Sequence, residues 1–97
     1  MTEPKLAARC RRRVIFEGRV QGVGFRYTAA SVARACRVNG YVRNCADGTV
    51  ELLAEGPIDN VDQLLGRLGE SFSGNIERRT VEELELPEQF DSFEIRH

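Results

Sequence analysis

Val14-Ile15-Phe16-Glu17-Gly18-Arg19-Val20-Gln21-Gly22-Val23-Gly24-Phe25-Arg26 is the stretch on which the fold turns. It opens on a β-branched and aromatic run that reads as a strand, and Gly18 stops it. From Phe25 onward Phe25, Ala29, Val32, Ala33 and Cys36 recur at helical spacing, while Arg26, Ala30, Arg34 and Arg37 lie elsewhere round the helix. A strand, a glycine-rich turn and a helix therefore follow one another without a linker.

Downstream, Gly40 to Asn44 reads as a second strand and Thr49 to Glu55 as a third. Asp47-Gly48 supplies the turn between them, so the pair is expected to form a hairpin. In the third strand Val50, Leu52 and Ala54 share one face and Glu51 and Glu55 the other. Pro57 suits the first position of a second helix. Val61, Leu64, Leu65 and Leu68 form its apolar stripe, Gly69 is expected to end it, and Glu70 to Asn75 reads as polar loop. Ile76 to Leu84 is a charged edge strand, and Phe93 to Arg96 closes with a short alternating one. The order βαββαβ predicts an α+β sandwich of the ferredoxin-like, split βαβ type, an antiparallel sheet with two helices on one face.

The chain has 97 residues, 41% hydrophobic and 30% charged, which suits a single domain over 1–97. No apolar run is long enough to span a membrane. Residues 1–12 are expected to be a flexible, Arg-rich tail without signal-peptide character, which makes the cytoplasm the expected compartment. Cys10, Cys36 and Cys45 are odd in number and contain no C-x-x-C pair, against a disulfide framework or a zinc knuckle. Net charge is −1, yet Met1 to Asn44 carries ten basic and two acidic residues and Cys45 to His97 four and thirteen. The first half could attract an anion, and the near-neutral total favours a small anionic ligand over nucleic acid.

The chemistry is expected in the glycine turn. Gly18, Gly22 and Gly24 at a strand-to-helix junction let successive N–H groups face one hollow, where the positive end of the helix dipole favours phosphate. Arg26, in the first turn of that helix, can add a two-pronged contact to phosphate oxygens. A tight turn beside a solvated arginine is the competing account. The turn matches neither G-x-x-x-x-G-K-[ST] nor G-x-G-x-x-G. On pattern alone Asn44 reads as a hairpin residue serving the turn from Cys45 to Gly48, and Arg19 and Arg43 as solvated. Tyr41 reads as packing on the core or sheet surface, Cys36 as buried, and a Cys45–His97 pair is not expected.

Gly18-Arg19-Val20-Gln21-Gly22-Val23-Gly24-Phe25-Arg26 and Gly40-Tyr41-Val42-Arg43-Asn44-Cys45-Ala46-Asp47-Gly48-Thr49-Val50 together resemble the two signatures of the acylphosphatase family, at the family's separation. The similarity covers Arg13 to Leu68 and the closing Phe93-Glu94-Ile95, and the chain departs from the family between Gly69 and Leu84. The resemblance implies hydrolysis of acyl phosphates to carboxylate and inorganic phosphate, with no metal or organic cofactor. It further implies that the backbone of Gln21, Gly22, Val23, Gly24 and Phe25, with Arg26, holds the phosphoryl group while Asn44 orients water. The expected partners are a small-molecule acyl phosphate and inorganic phosphate, with no nucleic acid and no membrane, and the chain is expected to be a monomer. Two other readings compete. One is a phosphate- or carbamoyl-phosphate-binding module like those that precede zinc fingers in hydrogenase-maturation proteins, disfavoured because no C-x-x-C follows. The other is an RNA-binding module, for which Tyr41 is the one obvious stacking residue.

Overall fold

The computed structural model describes residues 8–97. Strand β1 (Arg9–Gly18) leads through the glycine turn into helix α1 (Phe25–Ala35), followed by β2 (Asn39–Asn44) and β3 (Val50–Pro57). Helix α2 (Ile58–Ser71), β4 (Ile76–Leu84) and β5 (Phe93–Arg96) complete the chain. The sheet order is β4-β1-β3-β2-β5. β1 pairs antiparallel with β3 and β4, and β3 antiparallel with β2, which is the expected ferredoxin-like arrangement. β5 departs from it. It runs parallel to β2, Gly40 opposite Phe93 and Arg43 opposite Arg96, so the sheet is mixed rather than wholly antiparallel. Residues 85–92 carry the chain from β4 at one sheet edge to β5 at the other.

Alternation sorts the two faces. Cys10, Val14 and Phe16 of β1 and Val50, Leu52 and Ala54 of β3 are buried in one apolar cluster. Phe25, Ala29, Ala30 and Ala33 of α1 and Val61, Leu64, Leu65 and Leu68 of α2 close it from above. Ala30 thus belongs to the core face, contrary to the helical reading. α2 does not stop at Gly69 but runs to Ser71. The reason is Phe72, which continues the stripe four residues beyond Leu68, is buried, and sets its ring 4.7 Å from that of Phe25. Pro57 stands as the N-cap, one residue before the position expected of it.

The charges of β1 depart from the expectation of a solvated tail. Residues 1–7 of the expected tail lie outside the described residues, but Arg9 to Arg12 are strand, and each arginine of β1 has a carboxylate partner. Arg9 pairs with Glu88, Arg11 with Glu55 at 2.6 Å, Arg12 with Asp62 at 2.6 Å and Glu83 at 2.5 Å, and Arg13 with Glu51 at 2.6 Å. Their partners come from α2, β3, β4 and the crossing segment, so the basic first half neutralises the acidic second half across the sheet. Glu51 and Glu55 do lie opposite the apolar face, yet both are buried. Glu55 accepts from the backbone N–H groups of Gln89 (2.9 Å) and Phe90 (2.8 Å), which lie on the crossing segment. Glu51 accepts from Arg13 (2.6 Å), Arg43 (2.5 Å) and the Tyr41 hydroxyl (3.1 Å).

Burial, the largest single influence, pushes the Glu51 carboxyl up, but hydrogen bonds from Arg43, Tyr41 and Arg13 together outweigh it and hold it below the ordinary range. A native value below the unfolded one contributes stability above the ordinary value of 4.5 and loses it as pH falls through the native value. Glu51→Gln is therefore expected to cost about 1–3 kcal/mol at pH 7, the two half-exposed guanidiniums keeping it near the lower end. In urea unfolding the difference from wild type should shrink at pH 3; an equal difference at both pH values would show that the charge of Glu51 contributes nothing.

Candidate active site

The glycine turn is clamped at three points. At its base the Arg19 N–H donates to the Asn75 carbonyl (2.8 Å), and the Asn75 amide returns a bond to the Arg19 carbonyl (3.1 Å). Gly18 is required there: at φ 120° a Cβ would lie 2.3 Å from the Asn75 carbonyl oxygen. In the middle, Val20 is fully buried and roots the loop in the core. At the tip the Gln21 side-chain amide donates to the carbonyls of Cys45 (2.8 Å) and Thr49 (2.9 Å), fastening the loop to the β2–β3 turn. Reading the sequence assigned Gln21 only a backbone role. No local pattern announces its side-chain contacts, because both partners are carbonyls more than twenty residues away.

Beyond the clamps Gly22 and Gly24 take left-handed conformations, φ 75° and 80°, and Gly24 becomes the N-cap of α1. No side chain caps this helix and its first turn holds no acid. Among the described residues, the loop and turn backbone hydrogen bonds use none of the N–H groups of Gln21 to Tyr27. These are donors arranged at the positive end of a helix.

A cavity of about 130 Å³ opens on this turn, lined by Val20, Gly22, Gly24, Phe25, Arg26 and Asn44, with Tyr27 beside them. It brings Arg26 and Asn44, eighteen positions apart in sequence, to the same wall-and-floor arrangement as the loop. Gln21 and Val23 do not line it: the Gln21 side chain is committed to its clamp, and Val23 stands exposed between the two lining glycines. Arg26 donates to the Arg96 carbonyl (3.0 Å) and lies 3.2 Å from Nδ1 of His97. His97 therefore meets Arg26, and not Cys45. The Arg96 side chain is itself held, its guanidinium 4.1 Å above the Tyr41 ring and 5.4 Å from that of Phe90.

Asn44 takes no part in the turn that pattern alone gave it. Cys45 N–H donates to the Thr49 carbonyl (2.8 Å), and Asp47 accepts from the Thr49 N–H (3.0 Å) and hydroxyl (2.6 Å). Those bonds hold the Asp47 carboxyl below its ordinary value. Oδ1 of Asn44 is buried and has no hydrogen-bond donor among the described residues. Arg43, expected to be solvated, is half exposed and bonded to Glu51. The described residues contain no cluster of three or more His, Cys, Asp or Glu able to hold a metal ion, and no helix long and apolar enough to cross a membrane.

The family model for acylphosphatase matches residues 12–95. This chain belongs to the acylphosphatase family. It is 42% identical over 86 residues to the acylphosphatase of Bacillus velezensis, covering 87% of this chain and 94% of that one. With the acylphosphatase of Salinibacter ruber it shares 38% over 96 residues, 98% of this chain and 95% of the other. The crystal structure of acylphosphatase from Bacillus subtilis superposes with a TM-score of 0.83 at 36% identity, covering 90% of this chain and 98% of that one. The enzyme class, hydrolase, implied by the two signatures and the α+β ferredoxin-like fold read from the element order are those of the family.

Removing the Gln21 clamp should loosen the loop without disturbing the core. Gln21→Ala is expected to lower kcat/KM for an acyl phosphate about 10- to 100-fold while the urea midpoint moves little. Unchanged kinetics would show that the two carbonyl contacts do not position the loop.

Proposed function

We propose that the cavity is an acyl-phosphate hydrolysis site in which the N–H groups of Gln21 to Phe25 and Arg26 hold the phosphoryl group and Asn44 orients the attacking water. The observation that carries this reading is the buried, donor-less Oδ1 of Asn44 in the same cavity as Arg26 and the uncapped helix end. A carbonyl oxygen of that kind accepts one hydrogen of a water and leaves the water's lone pair directed at phosphorus. As the water oxygen bonds to phosphorus, the P–O bond to the acyl oxygen breaks. The carboxylate leaves with that electron pair, and the water's proton passes to a phosphoryl oxygen.

Charge and position suffice for this chemistry. The carboxylate is a good leaving group, so phosphoryl transfer asks chiefly for alignment and for donors matched to the phosphoryl oxygens. Arg26 supplies a charged fork, steered by the Arg96 carbonyl. A cation in the first turn of a helix is unfavourable alone, and a bound dianion offsets that. The reaction so drawn uses no metal. Three free cysteines, two of them buried, support a reducing compartment such as the cytoplasm.

Phosphate release from an aromatic acyl phosphate, measured with chelator present, tests the assignment. Wild type should be active, and the chelator should not matter. Arg26→Ala should lose about 100-fold or more in kcat/KM and weaken inhibition by inorganic phosphate. Asn44→Ala should lose a comparable factor in kcat with phosphate inhibition retained. Near-full activity of Asn44→Ala would overturn its role, and a folded, inactive wild type that still binds phosphate would make the protein a binding module.

A further inference from the structure

The two edges of the sheet differ in reach. β5 offers four residues, Phe93–Arg96, whereas β4 offers nine, Ile76–Leu84, and the seven between its ends are exposed. An edge strand presents a row of N–H and C=O groups with no partner in its own sheet, so a second strand can pair with it. Charged side chains commonly guard such an edge by repelling a like strand. On β4 their order does the reverse. Arg78 and Arg79 precede Thr80-Val81, and Glu82 and Glu83 follow. Run antiparallel to itself, the strand therefore sets arginines against carboxylates.

Symmetry fixes how two copies can meet. Identical edges join antiparallel into one sheet about a twofold axis perpendicular to it, which keeps every side chain on its own face. Opposed residues share a face, so one residue must lie opposite its own counterpart. With Val81 on the axis, Arg79 faces Glu83 of the second copy and Glu83 faces that copy's Arg79, while Thr80 faces Glu82. From Arg78 to Leu84 no like charges are then opposed. Thr80 on the axis would set Glu77 against Glu83, and Arg79 or Glu82 on the axis would face itself. Two side chains of β4 agree with the choice of Val81. Val81 is 42% exposed although it lies opposite the buried Val14 in the sheet, and its counterpart would cover it. Arg79 has no carboxylate partner among the described residues, and Glu83 of the second copy would supply one.

We infer that β4 is a self-association edge, through which two copies form a reversible dimer centred on Val81 rather than the expected monomer. Exposed ion pairs contribute little each, so the dimer is weak and its charges chiefly select the register. Sedimentation equilibrium on the full chain tests this. Wild type should pass reversibly from monomer to dimer as concentration rises toward about 1 mM. Val81→Lys and Val81→Glu each oppose two like charges across the axis, and each alone should stay monomeric. An equal mixture of the two should form a heterodimer, because each variant supplies the charge that the other lacks. Arg79→Glu should weaken the wild-type dimer about tenfold or more. Circular dichroism of each variant should match wild type, which separates lost association from lost fold. A wild type that stays monomeric throughout, a dimer that Val81→Lys leaves intact, or a folded mixture of the two Val81 variants that stays monomeric overturns the inference.

Discussion

β3 pairs antiparallel with β1 on one side and with β2 on the other, so β1 and β2 are obliged to run in the same direction. Their C-terminal ends then emerge at one end of the sheet. β1 ends in the glycine turn and β2 ends in Asn44, and a cavity containing both follows from that geometry. β5, parallel to β2, obeys the same direction and brings the Arg96 carbonyl and His97 to Arg26. An antiparallel fifth strand would have carried those residues to the far end of the sheet. The site is thus a property of strand direction before it is a property of any side chain.

Charge is divided between two tasks in this molecule. The arginines of β1 are committed to carboxylates on β3, β4, α2 and the crossing segment. Four of the ten basic residues in the first half of the sequence are therefore structural and contribute little field at the surface. Arg26 differs from them in kind. It bonds to a carbonyl and an imidazole and not to a carboxylate, which fixes its direction while leaving its charge uncompensated. A guanidinium oriented without a carboxylate partner is suited to a ligand that brings its own negative charge.

Periodicity made both helices, the hairpin and the edge character of β4 legible, because each writes its burial pattern into consecutive residues. The features that stayed hidden depend on partners remote in sequence. Arg9 to Arg13 look like a solvated tail until Glu51, Glu55 and Glu83 are known to lie beside them, and the direction of β5 is decided by a crossing that has no pattern. Phe72 looked like loop because Gly69 resembles a helix stop, yet one large ring four residues past Leu68 outweighs a glycine that merely tolerates helix. The glycine turn, Arg26 and Asn44 were visible as residues, but only the fold removes Asn44 from the turn and gives that work to Asp47. The side-chain clamp of Gln21 was not visible at all.

The two buried carboxylates of β3 also guard the alignment of the whole sheet. Because side chains alternate, sliding β3 by one residue against its neighbours would turn Glu51 and Glu55 in among Val14, Phe16, Leu64 and Leu68, and turn Leu52 toward the arginines. Both carboxyl groups would then sit in an apolar interior with no guanidinium or N–H to meet them. A wholly apolar β3 could slide at far smaller cost. The central strand therefore resists any one-residue slip, and Asn44, at the end of the strand paired to it, inherits its placement from that restriction.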